Sequence, residues 1–199
     1  MDTRLKHPFT CLIAGPTGCG KTYLVKELIK RNTIEPPPER IVWCYGEWQP
    51  MYTQMKNVEF VEGFHFETDP AQRTLLIIDD LMQETDERVT QLFTKGSHHH
   101  NISVVYLVQN VFGKNKELRT ISLNTHYMVI FKNPRDGSQI THLAKQMFPR
   151  NVKYLQEAFA DATSQPHGYL LIDLKQETPD HLRLRTNILQ SQQVVYLQK

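Results

Sequence analysis

The 199 residues carry 23 Lys and Arg against 21 Asp and Glu, a formal net charge of +2 at neutral pH, and 40% of them are hydrophobic. That balance excludes an acidic disordered chain and a collagen-like repeat, and a chain of this length buries enough surface to fold without disulfides or metal. It also excludes binding of nucleic acid through bulk positive charge, so any contact with phosphates must be local.

The apolar runs, Leu75–Ile78 and Val104–Val108 among them, fall far short of the ~20 residues that span a bilayer. Phe9–Ala14 follows Arg4 and Lys6 but opens into a glycine-rich loop instead of a small-residue cleavage site, so it is not read as a signal peptide. Cys11, Cys19 and Cys44 are odd in number and form no C-x-x-C pair, as free thiols in a reducing, intracellular compartment would. His98, His99 and His100 are sequence neighbours that cannot all point at one ion, so no structural zinc is expected there.

In chain order, the first predicted strand is Thr10–Ala14, and it runs into Gly15-Pro16-Thr17-Gly18-Cys19-Gly20-Lys21-Thr22. This fits G-x-x-x-x-G-K-[ST], whose glycines let the backbone wrap a phosphate while N–H groups and the next helix's N-terminus face the anion. Lys21 is expected on the β- and γ-phosphates and the Thr22 hydroxyl on Mg²⁺, which makes ATP and Mg²⁺ the implied cofactors. Cys19 is expected to act through its backbone N–H. An amphipathic helix follows over Lys21–Arg31, with Leu24, Val25, Leu28 and Ile29 on one face and Asn32 at its end.

Pro36-Pro37-Pro38 makes a stiff link to a second strand, Arg40–Tyr45, and a third follows at Thr74–Ile78. The third ends in Asp79-Asp80, and adjacent side chains at a strand tip diverge. Asp79 is therefore expected to complete the Mg²⁺ shell, and Asp80 to orient or deprotonate a water for hydrolysis. A helix is predicted from an N-cap at Thr85, with Asp86 and Glu87 in its first turn, to Gly96. The strand Ser103–Val108 ends in Gln109-Asn110, and in a parallel sheet the strand tips share one edge. Gln109 is thus expected to sense the γ-phosphate or hold the attacking water. Tyr127–Phe131 and Tyr169–Leu174 complete the strands, Ser138–Met147 and Val152–Ala162 the helices, and Leu182–Ile188 with Val194–Leu197 is read as a terminal β-ribbon. The expectation is one α/β domain over residues 1–199, three layers with helices on both faces of a mainly parallel sheet. With strand one starting so early, no separate N-terminal domain is expected.

This combination resembles the additional-strand, catalytic-acid class of P-loop ATPases and, within it, the FtsK/HerA superfamily of DNA pumps. Residues 41–49 (IVWCYGEWQ), Ile77-Ile78-Asp79-Asp80-Leu81, residues 101–110 (NISVVYLVQN) and Phe131-Lys132-Asn133-Pro134-Arg135-Asp136 are similar to the genome-packaging ATPases of Polinton/Maverick elements, poxviruses and related large DNA viruses. The resemblance covers about Phe9 to the 150s. It implies an ATP-driven ring that threads double-stranded DNA into a preformed capsid inside the host cytoplasm or nucleus, with capsid or portal-vertex proteins as partners. It also places Asp80 where many relatives in the wider superfamily carry Glu.

A ring ATPase takes a positive side chain from its neighbour to stabilise charge on the γ-phosphate, and Arg119, Arg135 and Arg150 are the candidates, Arg119 first. Lys114 and Lys116, in a polar loop with Asn115 after Gly113, are candidate DNA contacts. Trp43, Tyr45 and Trp48 are expected to pack instead of stacking on bases, because a pump of duplex DNA needs no exposed bases. Two other readings remain open at the sequence level: a helicase loader of the AAA+ type, and an assembly protein that binds nucleotide without productive hydrolysis. A nucleotide kinase fits less well, given the extra strand.

Overall fold

The computed structural model describes residues 4–81, 87–96, 101–112 and 116–198. Its strands are β1 (Leu5–Lys6), β2 (Thr10–Ala14), β3 (Ile34–Glu35), β4 (Arg40–Tyr45), β5 (Glu59–Glu62), β6 (Thr74–Asp79), β7 (Ile102–Val108), β8 (Tyr127–Phe131), β9 (Tyr169–Asp173), β10 (Leu184–Thr186) and β11 (Val194–Val195). The helices are α1 (Lys21–Lys30), α2 (Glu87–Gln91), α3 (Lys116–Leu123), α4 (Ser138–Met147) and α5 (Val152–Ala162).

Nine strands form one sheet in the order β11-β10-β9-β8-β2-β7-β6-β4-β5, while β1 and β3 pair separately. From β5 to β8 every pairing is parallel, and β9, β10 and β11 add antiparallel strands at one side. β7 lies between the loop-bearing β2 and the acid-tipped β6, whereas Arg40–Tyr45, which intervenes between them in the chain, pairs on the other side of β6 as β4.

The central strands are buried on both sides because alternate residues enter two cores. Leu12, Ala14, Leu76, Ile78, Val104, Tyr106 and Val108 pack with Val89 of α2, Ile121 of α3, Leu143 of α4 and Leu155 of α5. Their neighbours Cys11, Ile13, Leu75, Ile77, Val105 and Leu107 pack with Leu24, Val25 and Leu28 of α1 and with Tyr52. A side chain so buried contributes about 1.5–3 kcal/mol for a Val, Leu, Ile or Phe, so the two-period pattern locks register as well as fold.

The structure departs from the sequence expectations at several points. Among the described residues, the helix expected to end at Gly96 is an α-helix over Glu87–Gln91 and continues as a π-helix over Leu92–Gly96. Thr85, Asp86 and the His98–His100 triplet lie outside the described residues. Lys116 is not in a loop: it opens α3, whose buried Leu118 and Ile121 dock on the sheet. The terminal ribbon is shorter than expected and does not stand apart, since β10 joins β9 through the pairs Leu184↔Ile172 and Arg185↔Leu171. A buried ion pair, Arg185 Nη2 to Asp173 Oδ2 at 2.9 Å, ties that edge together.

Candidate functional site

Parallel strands bring their C-terminal tips to one edge, and the adjoining tips of β2, β7 and β6 carry the loop, Gln109 and the two acids. The loop begins where Gly15 N–H donates to the Val108 carbonyl at 3.1 Å, which sets the loop beside Gln109. A Cβ on Gly15 would lie 2.6 Å from Cys19 Sγ and 2.7 Å from Phe131 Cβ, so only glycine lets the backbone curl this tightly. Gly18 (φ 79°) and Gly20 (φ 111°) take left-handed conformations, and Gly20 caps α1 without a side-chain hydrogen bond. The first amides of α1 are therefore left to an external acceptor. Lys21 Nζ folds over the loop, donating to the carbonyls of Gly15 (2.6 Å) and Pro16 (3.2 Å). The Cys19 N–H closes a turn on the Pro16 carbonyl, and burial raises the Cys19 thiol above its ordinary range.

Asp79 ends β6 only 4% exposed. Its Oδ2 accepts from the Tyr52 hydroxyl at 2.9 Å and from Thr22 Oγ1 at 3.3 Å. Burial pushes its carboxyl up, against the pull of those two donors and of the Lys21 ammonium. Asp80 adopts φ 57° and stands exposed, so the chain turns sharply between the acids and their carboxylates part. Thr17, Gly18, Gly20, Lys21, Thr22, Asp79, Asp80 and Gln109 line one cavity of about 340 Å³, together with Tyr23, Gln49 and Met51. Gly15, Pro16 and Cys19 form the rest of the loop behind it. A larger groove of about 1270 Å³, lined by Val61 of β5, Phe64 just after that strand and Arg88 of α2 among others, shares none of these residues.

The donor set suits a hard cation: a hydroxyl and a carboxylate oxygen at the cleft, with room left for water and phosphate oxygens, as Mg²⁺ prefers. Among the described residues there is no cluster of three His, Cys, Asp or Glu side chains that would form an all-protein cage.

Three supporting residues escaped the sequence reading. Tyr52, from a 3₁₀ turn over Pro50–Gln54, reaches the buried acid. Gln139, on the buried face of α4, accepts from Val111 N–H (2.9 Å) and donates to Asn110 Oδ1 (3.0 Å), holding the segment just after Gln109. His167 donates from Nδ1 to the Cys19 carbonyl at 3.0 Å, bracing the phosphate loop from the β9 side. The signal for Gln139 was a polar residue in register with Leu143 on the apolar stripe of its helix; Tyr52 and His167 carry none.

Arg119, Arg135 and Arg150 are exposed, and none lines the cavity. Lys116 is exposed at the start of α3, and Lys114 lies outside the described residues. Trp43 is fully buried, as expected, but Trp48 is 52% exposed, with its ring edge-on to Tyr45 and Tyr52.

A family model described as RNA helicase matches residues 11–121, from β2 through α3. Packaging protein 1 of Fowl adenovirus A serotype 1 is 32% identical over 91 residues, 43% of this chain and 21% of that relative, so the chain spans about a fifth of it. The genome-packaging NTPase of Sulfolobus turreted icosahedral virus 2, solved with ATP-gammaS, superposes with a TM-score of 0.58 at 11% identity, covering 95% of this chain and 97% of that one. The DNA-packaging ATPase of Sulfolobus turreted icosahedral virus gives 0.58 at 12% identity over 96% and 98%. The cytoplasmic domain of the Thermomonospora curvata type VII secretion ATPase gives 0.54 at 11% identity, covering 85% of this chain and 24% of that one. At these identities the structural likenesses establish the fold, a P-loop NTPase shared with viral packaging enzymes.

Proposed function

The chain belongs to the P-loop family described as RNA helicase and resembles viral packaging ATPases, and from that premise we propose that it is an ATP-hydrolysing subunit of a motor that packages double-stranded DNA. One observation carries the reading: loop, buried acid, exposed acid and strand-tip amide meet around a single cleft. In it the amides of the loop and α1 grip the phosphates, and Lys21 leaves its own loop carbonyls for the β- and γ-oxygens. Thr22 and Asp79 would hold Mg²⁺, which when bound would neutralise phosphate charge. Asp80 orients the attacking water and takes its proton, while Gln109, steadied through Asn110 and Gln139, contacts the terminal phosphate.

The described cleft lacks an arginine, which supports a ring in which a neighbour supplies one of Arg119, Arg135 or Arg150. The near-neutral net charge supports DNA contacts made by few residues per subunit, Lys114 and Lys116 among them, and summed around the ring. Residues 1–199 act as one such motor domain, with capsid or portal-vertex proteins as docking partners inside an infected cell. Purified protein should hydrolyse ATP with stimulation by duplex DNA, and Lys21→Ala or Asp80→Asn should abolish turnover. Turnover that survives both changes would overturn the reading. The description of the matched family favours a second one, unwinding of RNA, which predicts stimulation by RNA and not by duplex DNA.

A further inference from the structure

Tyr52 is 1% exposed, yet its hydroxyl is not spent on backbone: it donates to Oδ2 of Asp79 at 2.9 Å, the same oxygen that Thr22 approaches. The ring is held on several sides, stacked on Phe60 with centroids 4.9 Å apart and set against Trp43 at 5.4 Å, Tyr45 at 5.6 Å and Trp48 at 5.3 Å. Its chain neighbours Gln49 and Met51 line the nucleotide cleft. A rigid aromatic platform thus delivers a single donor to the one carboxylate that a cation at Thr22 would use.

We infer that Tyr52 is a positioning residue for the divalent cation: its hydroxyl fixes which way the Asp79 carboxylate faces, so that an oxygen is presented beside Thr22. The inference rests on the Mg²⁺ site proposed above. A carboxylate left with one donor is free to rotate about its last bond, and an ion that demands near-octahedral geometry suffers from that freedom. Loss of such an outer partner typically costs 10–100-fold in metal affinity.

The test is binding of a fluorescent, nonhydrolysable ATP analogue titrated with Mg²⁺, and again in EDTA. Tyr52→Phe keeps the ring and its stacking and removes only the hydroxyl. It should raise the Mg²⁺ concentration for half-maximal binding about tenfold or more, with affinity in EDTA equal to wild type. Tyr45→Phe, in the same aromatic cluster but without a bond to Asp79, should behave as wild type. A Tyr52→Phe half-saturation within about twofold of wild type overturns the inference, as does an equal loss of affinity in EDTA, which would mark general damage to the cleft. Wild-type binding indifferent to Mg²⁺ removes the cation site and this inference with it. Failure of wild type to bind the analogue at all contradicts the proposed function itself.

Discussion

Gly46 directly follows β4 beside the two acids, and replacing it by alanine tests whether the Asp80 turn is tuned for hydrolysis. Its N–H donates to the Asp79 carbonyl at 3.1 Å, and an added Cβ would stand 2.6 Å from the Asp80 carbonyl oxygen. Relief to an ordinary 3.4 Å contact requires a shift of 3.4 − 2.6, about 0.8 Å, in backbone that cannot swing aside as a side chain can. Asp80 already occupies a left-handed conformation at φ 57°, so the turn has little freedom to absorb it. Overpacking of this kind costs about 1–3 kcal/mol, or roughly 2–12 °C in melting temperature at about 2–4 °C per kcal/mol. A catalytic group moved by about 1 Å costs on the order of 100-fold in rate. The phosphate loop does not touch this contact, so steady-state ATPase assays should show kcat falling about 10–100-fold while the Kd for a nonhydrolysable ATP analogue stays at its wild-type value. Unchanged kcat in Gly46→Ala, or a Kd that worsens in step with kcat, would refute the assignment of the Asp80 turn to the chemical step.

Because burial raises the Asp79 carboxyl above its ordinary value of 3.8, the ionised form burdens the fold, and stability falls as pH rises from 3.8 through the raised value. Asp79→Asn keeps an acceptor for Tyr52, so its melting temperature should exceed that of wild type above this window and the gap should close below it, by calorimetry in EDTA. His7 shows the opposite sign on the far edge of the sheet, where burial lowers its pKa below 6.5. Its Nδ1 lies 2.5 Å from Ser103 Oγ and its Nε2 2.9 Å from Asn101 Oδ1, and with Ser103 donating to Nδ1 the neutral ring suits both. Stability should therefore be full above pH 6.5 and decline as pH falls below it, and His7→Gln should flatten that limb in a denaturation series. Gln139→Leu leaves the buried Val111 N–H without its acceptor, a cost of about 1–3 kcal/mol, and should lower kcat while nucleotide Kd holds.

Where local pattern and tertiary need coincide, the chain could be read directly. β2, β4 and β8 begin and end at the residues expected, because their β-branched and aliphatic runs are buried on both faces and bounded by turn residues. The phosphate loop was legible for the same reason, its glycines being demanded by backbone conformation at Gly18 and Gly20 and by crowding at Gly15. α3 was missed because its eight residues hold only Leu118, Ile121 and Leu123 as an apolar signal, of which Leu118 and Ile121 are buried against the sheet while Leu123 stays exposed. β5 was missed because Glu59 and Glu62 flank just two apolar residues at an edge, where pairing on one side suffices. Tyr52 and His167 lie 27 and 148 residues from the groups they bond, and no local period encodes such contacts. The buried Asp79 did imply that donors had to exist, without saying which.

The central claim, that nucleotide hydrolysis in this cleft moves the protein along duplex DNA, is tested most directly by displacement of a third strand from a double-stranded track. With ATP and Mg²⁺ the account predicts displacement that lengthens in time with track length and vanishes with a nonhydrolysable analogue or in Asp80→Asn. Displacement that persists without hydrolysis, or strand separation of RNA with no movement on duplex DNA, would contradict it.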